Sequence, residues 1–163
     1  MAGLTPILQA TQNPLFVFLN AAINPIDNDP TFNHEMFHEV IETNISGYST
    51  FISVLEANPE PKAQVICMGS TAIFVPNYKH LGYFISKVSN HNLVQSLQKL
   101  HTNHNYKLVV LGPVLTRMYR NGKLSGIKKI IFEALALEPE DAAARILRFA
   151  LNKRRIIRLT SVS

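Results

Sequence analysis

The stretch that decides the fold runs from Ala63 to Lys87 and reads AQVICMGSTAIFVPNYKHLGYFISK. Its first seven residues form a mostly apolar run, which predicts a strand buried on both faces. Ser70 follows this strand directly, and from about His80 to Leu100 the pattern is that of a long helix. The stretch therefore predicts a strand, a turn and a helix, with polar side chains where they meet.

Two residues of that helix have a spacing with a chemical meaning. Tyr83 and Lys87 are four positions apart, so a helix places both side chains on one face. A tyrosine pKa is roughly 10 in water, and a nearby cation favours the phenolate and lowers it. Ser70 could hydrogen-bond a substrate carbonyl beside the Tyr83 hydroxyl. This set suits acid-base chemistry on a carbonyl or alcohol, although the pair alone also fits an ordinary helix surface.

The rest of the chain alternates between apolar strands and helical patterns. We predict further strands at Leu15–Leu19, Tyr106–Gly112 and Arg155–Thr160, and further helices at about Thr31–Leu55 and Pro139–Leu151. The basic stretch from Arg117 to Glu138 reads as irregular. This order predicts an α/β fold with a parallel sheet and helices on both faces. Ligands of such sheets bind beyond the carboxyl ends of the strands, where Asn20, Ser70 and Gly112 would lie.

Length and composition are those of one globular domain. The chain has 163 residues, of which 47% are hydrophobic and 17% charged. No apolar run reaches the roughly 18 residues of a membrane span, and the N-terminus lacks the features of a signal peptide. We therefore expect a cytoplasmic protein without membrane contact.

The cysteine and the positive charge point to no special site. Cys67 is the single cysteine, which excludes an internal disulfide, and its apolar surroundings predict a buried packing role. The net charge of +5 comes partly from a basic cluster between Lys153 and Arg158. No aromatic residues interleave with that cluster, so we interpret it as a solvated end of the domain rather than a nucleic-acid site.

Taken together, these residues resemble the short-chain dehydrogenase/reductases. Five features match the family in order: Asn20-Ala21-Ala22 after the first strand, Asn44 within a helix, Ser70 at a strand end, Tyr83 with Lys87, and the turn Gly112-Pro113-Val114-Leu115-Thr116. Ala22 stands where the family has glycine, and Leu111 where it usually has proline. The resemblance implies a Rossmann-like fold over residues 1–163 and an NAD or NADP cofactor.

The resemblance also implies a role for each matching residue. Tyr83 would be the general acid/base, and Ser70 would orient the substrate carbonyl. Lys87 would lower the Tyr83 pKa and hydrogen-bond the nicotinamide ribose, while Asn44 would hold a water that links Lys87 to solvent. The remaining residues would bind the cofactor: Asn20, Ala21 and Ala22 under the adenosine, and Gly112, Pro113, Val114 and Thr116 at the carboxamide.

One departure concerns the start of the chain. In the family the turn matching Asn20 follows about three strands and two helices, including a glycine-rich turn for the pyrophosphate. None of the seven glycines here forms that fingerprint. We therefore expect a truncated member that lacks the first strands, in which LFVFL (residues 15–19) is an exposed apolar edge.

A second motif competes with this interpretation. Residues 34–38 read HEMFH, the HExxH pattern in which two histidines bind zinc and a glutamate activates water. No third ligand is evident, so we interpret the segment as a polar helix start with solvent-facing histidines and expect no metal.

Two functions remain open from the sequence. The first is hydride transfer between NAD(P) and a small-molecule carbonyl or secondary alcohol. The alternative is a non-catalytic relative that acts as an oligomerisation or binding module. Either would be compatible with a homo-oligomer formed through the two long helices centred near Tyr48 and Asn92. The pattern of Arg117 to Glu138 does not identify a substrate, and no residue chooses between NAD and NADP.

Overall fold

The computed structural model describes residues 15–26, 32–76, 78–117 and 126–161. Its centre is a parallel sheet of four strands in the order β1-β2-β3-β4. The strands are β1 (Leu15–Leu19), β2 (Ala63–Ser70), β3 (Asn105–Leu111) and β4 (Ile156–Leu159). All four predicted strands are confirmed, and no end differs from its prediction by more than one residue.

Five α-helices accompany the sheet in the described residues: α1 (His34–Ile41), α2 (Gly47–Glu56), α3 (Leu81–Leu97), α4 (Gly126–Leu135) and α5 (Pro139–Leu151). A π-helical turn, Glu42–Ser46, joins α1 to α2, so the predicted long helix is one continuous helical segment from residue 34 to 56. Short 3₁₀ turns at Thr71–Phe74 and Tyr78–His80 lead from β2 into α3. The helix is predicted from about Thr31, which lies outside the described residues; it begins at His34, after the N-cap residue Asn33.

The prediction of an irregular stretch between Arg117 and Glu138 is wrong in part, because α4 occupies residues 126–135. Its sequence, GIKKIIFEAL, has apolar residues at helical spacing, but lysines and two nearby glycines obscure the pattern. Ile127 and Ile130 are mostly exposed in this helix. The apolar residues of this helix therefore include several that face solvent.

Two apolar clusters lie on opposite faces of the sheet. The first packs α2 and α3 against β1, β2 and β3, and includes Leu55, Val65, Val94 and Leu108. The second packs α5 against β2, β3 and β4 through residues such as Phe149 and Val109. The helices thus cover both faces, as predicted.

The crossover connection from β3 to β4 differs in handedness from the other two connections. All three connections step across the sheet in the same direction, but α5 lies on the opposite face from α2 and α3. Its crossover therefore has the opposite hand, although right-handed crossovers are the general rule. The result is an uneven cover: α5 lies over β3 and β4, whereas Phe16 and Phe18 of β1 remain 37% and 40% exposed. The predicted exposed apolar edge at LFVFL is confirmed.

A close contact between helices sets the position of α3. A Cβ atom on Gly82 would lie 3.2 Å from the Cβ of Val40 in α1. Glycine therefore lets the first turn of α3 approach α1 closely, directly before Tyr83. No described helix is both long and apolar enough to span a membrane.

A buried lysine holds α5 on the second face. The Lys107 ammonium, on β3, donates to the carbonyls of Phe149 at 3.1 Å and Ala150 at 2.9 Å, and also to that of Asn152. These carbonyls lie at the C-terminal end of α5, where a cation is favourable. Burial lowers the pKa of Lys107 from its ordinary value.

Replacing Lys107 with Met is expected to lower the free energy of unfolding by about 1–3 kcal/mol, because buried carbonyls lose their donor. Urea denaturation measures the change. Lys99→Met is the matched control, since Lys99 is exposed. Equal effects of the two substitutions would contradict the role of Lys107.

Candidate active site

The predicted site residues lie at one edge of the sheet. Asn20, Ser70 and Gly112 stand at or just beyond the ends of β1, β2 and β3. The register pairs Ser70 with Leu111, which places the ends of β2 and β3 side by side. Because the strands are parallel, these positions meet at the carboxyl edge, as the sequence predicts.

Ser70 is held by the turn that follows β2. Its backbone is extended, and its Oγ accepts a hydrogen bond from the Ala72 N–H at 3.1 Å. The serine thereby caps the 3₁₀ turn Thr71–Phe74 and leaves its own hydroxyl hydrogen to donate elsewhere. Local turn chemistry thus fixes the hydroxyl at the strand end.

The inner face of α3 changes character along the helix. At 100° per residue, Tyr83, Ser86, Lys87 and Asn90 fall within an arc of about 100°. Val94 and Leu97 continue the same arc toward the helix C-terminus, where they join the apolar core. The polar half therefore lies near the carboxyl ends of the strands, and the apolar half anchors the helix.

Tyr83 is partly buried and contacts both Ser70 and Lys87. Burial raises the pKa of the Tyr83 phenol from its ordinary value, while a hydrogen bond with the Ser70 side chain lowers it. The Lys87 ammonium is 5.5 Å from the centre of the Tyr83 ring. The sequence predicts a pKa lowered by Lys87, but the net direction here is upward, because loss of hydration outweighs the neighbouring groups.

Lys87 is buried more deeply than Tyr83. Its side chain is 3% exposed, and its Nζ donates to the Met68 carbonyl on β2 at 3.0 Å. Burial lowers the Lys87 pKa to about 8, and the nearby Cys67 raises it slightly. The ammonium form therefore predominates at neutral pH and is lost in mildly alkaline solution. Cys67 itself is buried, as predicted, and burial raises its pKa to about 12.

Asn44 lies in the π-helical turn and is fully buried. Its Oδ1 accepts from the Ile23 N–H at 2.8 Å, and its Nδ2 donates to the Ile23 carbonyl and the Ser86 Oγ, both at 3.0 Å. The side chain thus clamps the loop after β1. The water that the resemblance implies at Asn44 would have to bind its backbone carbonyl instead.

The loop after β1 has a second anchor. The side chain of Asn24 lies 2.8 Å from Nδ1 of His80, which directly precedes α3. Burial lowers the pKa of His80. Within this loop Asn20 and Ala21 are exposed and Ala22 is partly buried, so the predicted cofactor-floor residues lie on a doubly anchored segment.

The turn after β3 is fixed by backbone bonds. Val114 forms a parallel bridge with Leu137, in which the Leu137 N–H donates to the Pro113 carbonyl at 2.9 Å and the Leu115 N–H donates to the Leu137 carbonyl at 3.0 Å. In this pattern the N–H and C=O of Val114 face away from Leu137, and the C=O accepts a hydrogen bond from the Thr116 N–H at 2.7 Å.

The ends of this turn are held differently. Gly112 approaches β4 closely, and its N–H donates to the Leu159 carbonyl at 2.8 Å. The Thr116 side chain is exposed. The turn therefore presents backbone groups of Val114 and an accessible hydroxyl.

The zinc pattern gains no support from the structure. His34 and His38 are exposed, one turn apart at the start of α1, with stacked rings whose centres are 6.2 Å apart. Within residues 15–26, 32–76, 78–117 and 126–161, no three metal-ligating side chains form a group. The interpretation of a polar, solvent-facing helix start is confirmed.

Four residues of this region are missed by motif matching: Tyr48, His80, Ser86 and Asn90. Ser86 and Asn90 leave a signal in the sequence, because they place polar side chains on the buried arc of α3. Tyr48 does not, since it reads as an ordinary apolar-face residue, yet its hydroxyl donates to the Leu19 carbonyl at the end of β1.

The buried ammonium has a consequence for stability. Because the Lys87 pKa falls from 10.5 to about 8 on folding, the unfolded chain binds a proton between these values that the folded chain has released. Stability contributed by this group therefore rises with pH across that window.

We expect the unfolding free energy of the native protein, relative to Lys87→Met, to increase by about 2 kcal/mol between pH 8 and pH 10. Urea denaturation at several pH values measures this difference. Lys99→Met should show no such trend, since Lys99 is exposed. A difference between native protein and Lys87→Met that does not vary with pH would contradict the buried lysine.

Comparison with known proteins gives a likeness of structure rather than of sequence. No protein-family model and no curated protein matches the chain. An alcohol dehydrogenase from the archaeon Thermococcus sibiricus, complexed with 5-hydroxy-NADP, matches with a TM-score of 0.69 and 22% identity, over 97% of this chain and 67% of that one.

Two further solved structures agree. A short chain dehydrogenase family protein from Francisella tularensis matches with a TM-score of 0.72 and 21% identity, over 97% of this chain and 75% of that one. The closed form of serine dehydrogenase complexed with NADP+ matches with a TM-score of 0.70 and 15% identity, over 99% and 72%. The chain therefore adopts the Rossmann-like α/β fold of short-chain dehydrogenase/reductase structures, as its sequence predicts.

Proposed function

We propose that this protein is an NAD(P)-dependent oxidoreductase of the short-chain dehydrogenase/reductase type, acting on a carbonyl or secondary alcohol. One observation carries the proposal: the Tyr83 phenol is hydrogen-bonded with the Ser70 side chain at the carboxyl end of β2, and its ring centre is 5.5 Å from the Lys87 ammonium. The fold shared with enzymes crystallised with NADP+ and 5-hydroxy-NADP supports it.

The described residues suit the nicotinamide half of such a cofactor. A carboxamide needs one donor and one acceptor. Val114 offers its backbone N–H on the side away from Leu137, and its C=O, which accepts from the Thr116 N–H at 2.7 Å, retains a second lone pair. Thr116 adds an exposed hydroxyl, and the Lys87 ammonium suits a ribose hydroxyl. When bound, the cofactor would supply the hydride that adds to the carbonyl carbon.

The chain's own residues would handle the proton. Ser70 donates a hydrogen bond to the substrate oxygen, beside the Tyr83 hydroxyl. Tyr83 then gives its proton to that oxygen as negative charge develops there, and the Lys87 ammonium stabilises the phenolate that remains. Proton uptake from solvent restores Tyr83, and oxidation follows the same steps in reverse.

The pKa directions favour reduction at neutral pH. Burial raises the Tyr83 pKa, so the residue is a protonated acid at pH 7. Lys87 loses its charge above about pH 8. We therefore expect kcat for carbonyl reduction to be level near pH 7 and to fall above about pH 8 in a pH profile. A rate that rises between pH 8 and 10 would contradict this order.

Replacing Tyr83 with Phe is the direct test of the acid. It removes the transferable proton and keeps the ring, so kcat should fall by about 10²–10⁴-fold, while cofactor affinity measured by fluorescence titration changes little. Tyr106→Phe is the matched control, because the Tyr106 hydroxyl binds Glu56 away from this edge. Unchanged turnover in Tyr83→Phe would overturn the assignment.

Cofactor binding separates this function from the alternative. Binding of NAD or NADP at micromolar levels by the 163-residue chain supports the enzyme. No binding by a folded preparation favours the non-catalytic association module. The cytoplasmic location expected from the sequence stays a prediction.

A specific observation favours association as a second candidate. Phe16 and Phe18 stand exposed on β1, which is the edge strand of the described sheet. Unpaired edges with apolar side chains are sites of association. By contrast, Leu81 is the only large, exposed apolar side chain in the described parts of α1, α2 and α3. The β1 edge is therefore a better candidate surface than the two long helices.

Phe18→Lys should abolish self-association through this edge, because it places a charge on the apolar face. Sedimentation velocity measures the oligomeric state. Phe32→Lys is the control, since Phe32 is also an exposed aromatic residue but lies outside the sheet. A native protein that is monomeric at high micromolar concentration would contradict association.

A further inference from the structure

A buried polar cluster lies behind Tyr83. Six polar or charged side chains are buried in the described residues, and four of them belong to this cluster: Asn44, Ser86, Lys87 and Asn90. They lie where α3 packs against the π-helical turn and β2. The proposed acid-base chemistry uses Lys87 and leaves Asn90 without a role.

Asn90 is 2% exposed and makes one clear hydrogen bond. Its Nδ2 donates to the backbone carbonyl of Asn44 at 2.7 Å. This bond fixes the orientation of the amide, because the opposite orientation would set two oxygens against each other. The Oδ1 of Asn90 is buried and has no hydrogen-bond partner among the described residues.

A buried acceptor without a hydrogen-bond partner destabilises the folded chain. Leaving a buried polar atom without a partner costs about 1–3 kcal/mol, and polar interior sites commonly hold an ordered water with two to four partners. A candidate donor for such a water is close in sequence and lies on the same face of α3. Lys87 precedes Asn90 by one helical turn on the same arc, and its ammonium has three hydrogens, of which one bonds Met68.

We propose that Asn90 holds one buried water with its Oδ1, that this water is hydrogen-bonded to the Lys87 ammonium, and that Asn90 is thereby a positioning residue for Lys87. Only the catalytic role of this arrangement rests on the proposed function. The water and its effect on the Lys87 pKa are independent of that function, since both exist in the folded chain whether or not it turns over a substrate.

The electrostatic surroundings of Lys87 support this arrangement. In the described part of the chain the titratable groups beside it are Tyr83 on α3 and Cys67 on β2, and Tyr48 on α2 interacts with both of these. All three have raised pKa values and are neutral at pH 7. No carboxylate is among these groups, so the ammonium depends on neutral dipoles, of which the Met68 carbonyl is one and the Asn90 water would be another.

The test is the titration of Lys87 itself. Lysine labelled with ¹³C and ¹⁵N reports each side-chain ammonium by NMR, and Lys87→Met assigns the signal. Asn90→Leu keeps the approximate volume but removes the acceptor, so the Lys87 pKa should fall by about one unit. Asn90→Asp adds a charge at the same place and should raise it by at least about one unit.

Asn92→Leu is the matched control, because Asn92 is exposed on the same helix. Its Lys87 titration should equal that of the native protein. Unchanged titration in a folded Asn90→Leu variant would overturn the proposal.

A measurement on the native chain covers the case in which Asn90→Leu fails to fold. A high-resolution crystal structure should show one ordered water within hydrogen-bond distance of both Asn90 Oδ1 and Lys87 Nζ. An Oδ1 that contacts no water would overturn the proposal.

Turnover separates the two ideas. If Tyr83→Phe leaves turnover unchanged, the proposed function fails, while the Lys87 titration still decides the role of Asn90. If the function holds, Asn90→Leu should shift the alkaline limb of the kcat profile downward by about the same unit as the Lys87 pKa. An unshifted limb beside a shifted Lys87 pKa would overturn the positioning role.

Discussion

Burial of the Lys87 ammonium is the constraint on which the arrangement of this site depends. A charge that is 3% exposed loses most of its hydration and must find dipoles to replace it. Its bond to the Met68 carbonyl ties α3 to β2, next to the strand end that carries Ser70. The same depth of burial brings the Tyr83 ring and the ammonium within 5.5 Å of each other. Burial of Lys87 thus accounts both for the position of its ammonium and for its lowered pKa.

The π-helical turn packs against the buried polar face of α3 and bonds to it through Asn44. Asn44 uses its side chain on Ile23 and Ser86, and its carbonyl on Asn90. One residue therefore joins the loop after β1, the turn itself and α3. Local departures from the α-helix often accompany functional sites because they redirect backbone groups. Here the redirected carbonyl faces the polar half of α3, beside the buried lysine.

Much of this could be predicted from the sequence, because strands and long helices leave strong periodic signals. The strand pattern placed Asn20, Ser70 and Gly112 at one edge of the sheet, as the structure has them, and the helical spacing placed Tyr83 and Lys87 on one face of α3. Asn90 could not be identified in that way, since it belongs to no motif and its meaning depends on a bond across 46 positions of sequence. The direction of the Tyr83 pKa shift could not be predicted either. Residue spacing shows which charge lies near the phenol, but it does not show how much hydration the phenol loses on folding. The α4 helix was missed for a third reason, since lysines and nearby glycines interrupt its apolar spacing.

The two altered pKa values work in opposite directions with one chemical outcome. Loss of hydration disfavours the charged form of each group, so it raises the pKa of Tyr83 and lowers that of Lys87. At neutral pH this leaves a neutral acid next to a cation that is only about one unit from losing its proton. Once Tyr83 gives up its proton, the phenolate would favour the ammonium again and restore a high Lys87 pKa. In the proposed reaction the pair would therefore be charged most strongly when negative charge develops on the substrate oxygen, and burial would make that difference larger than it would be in water.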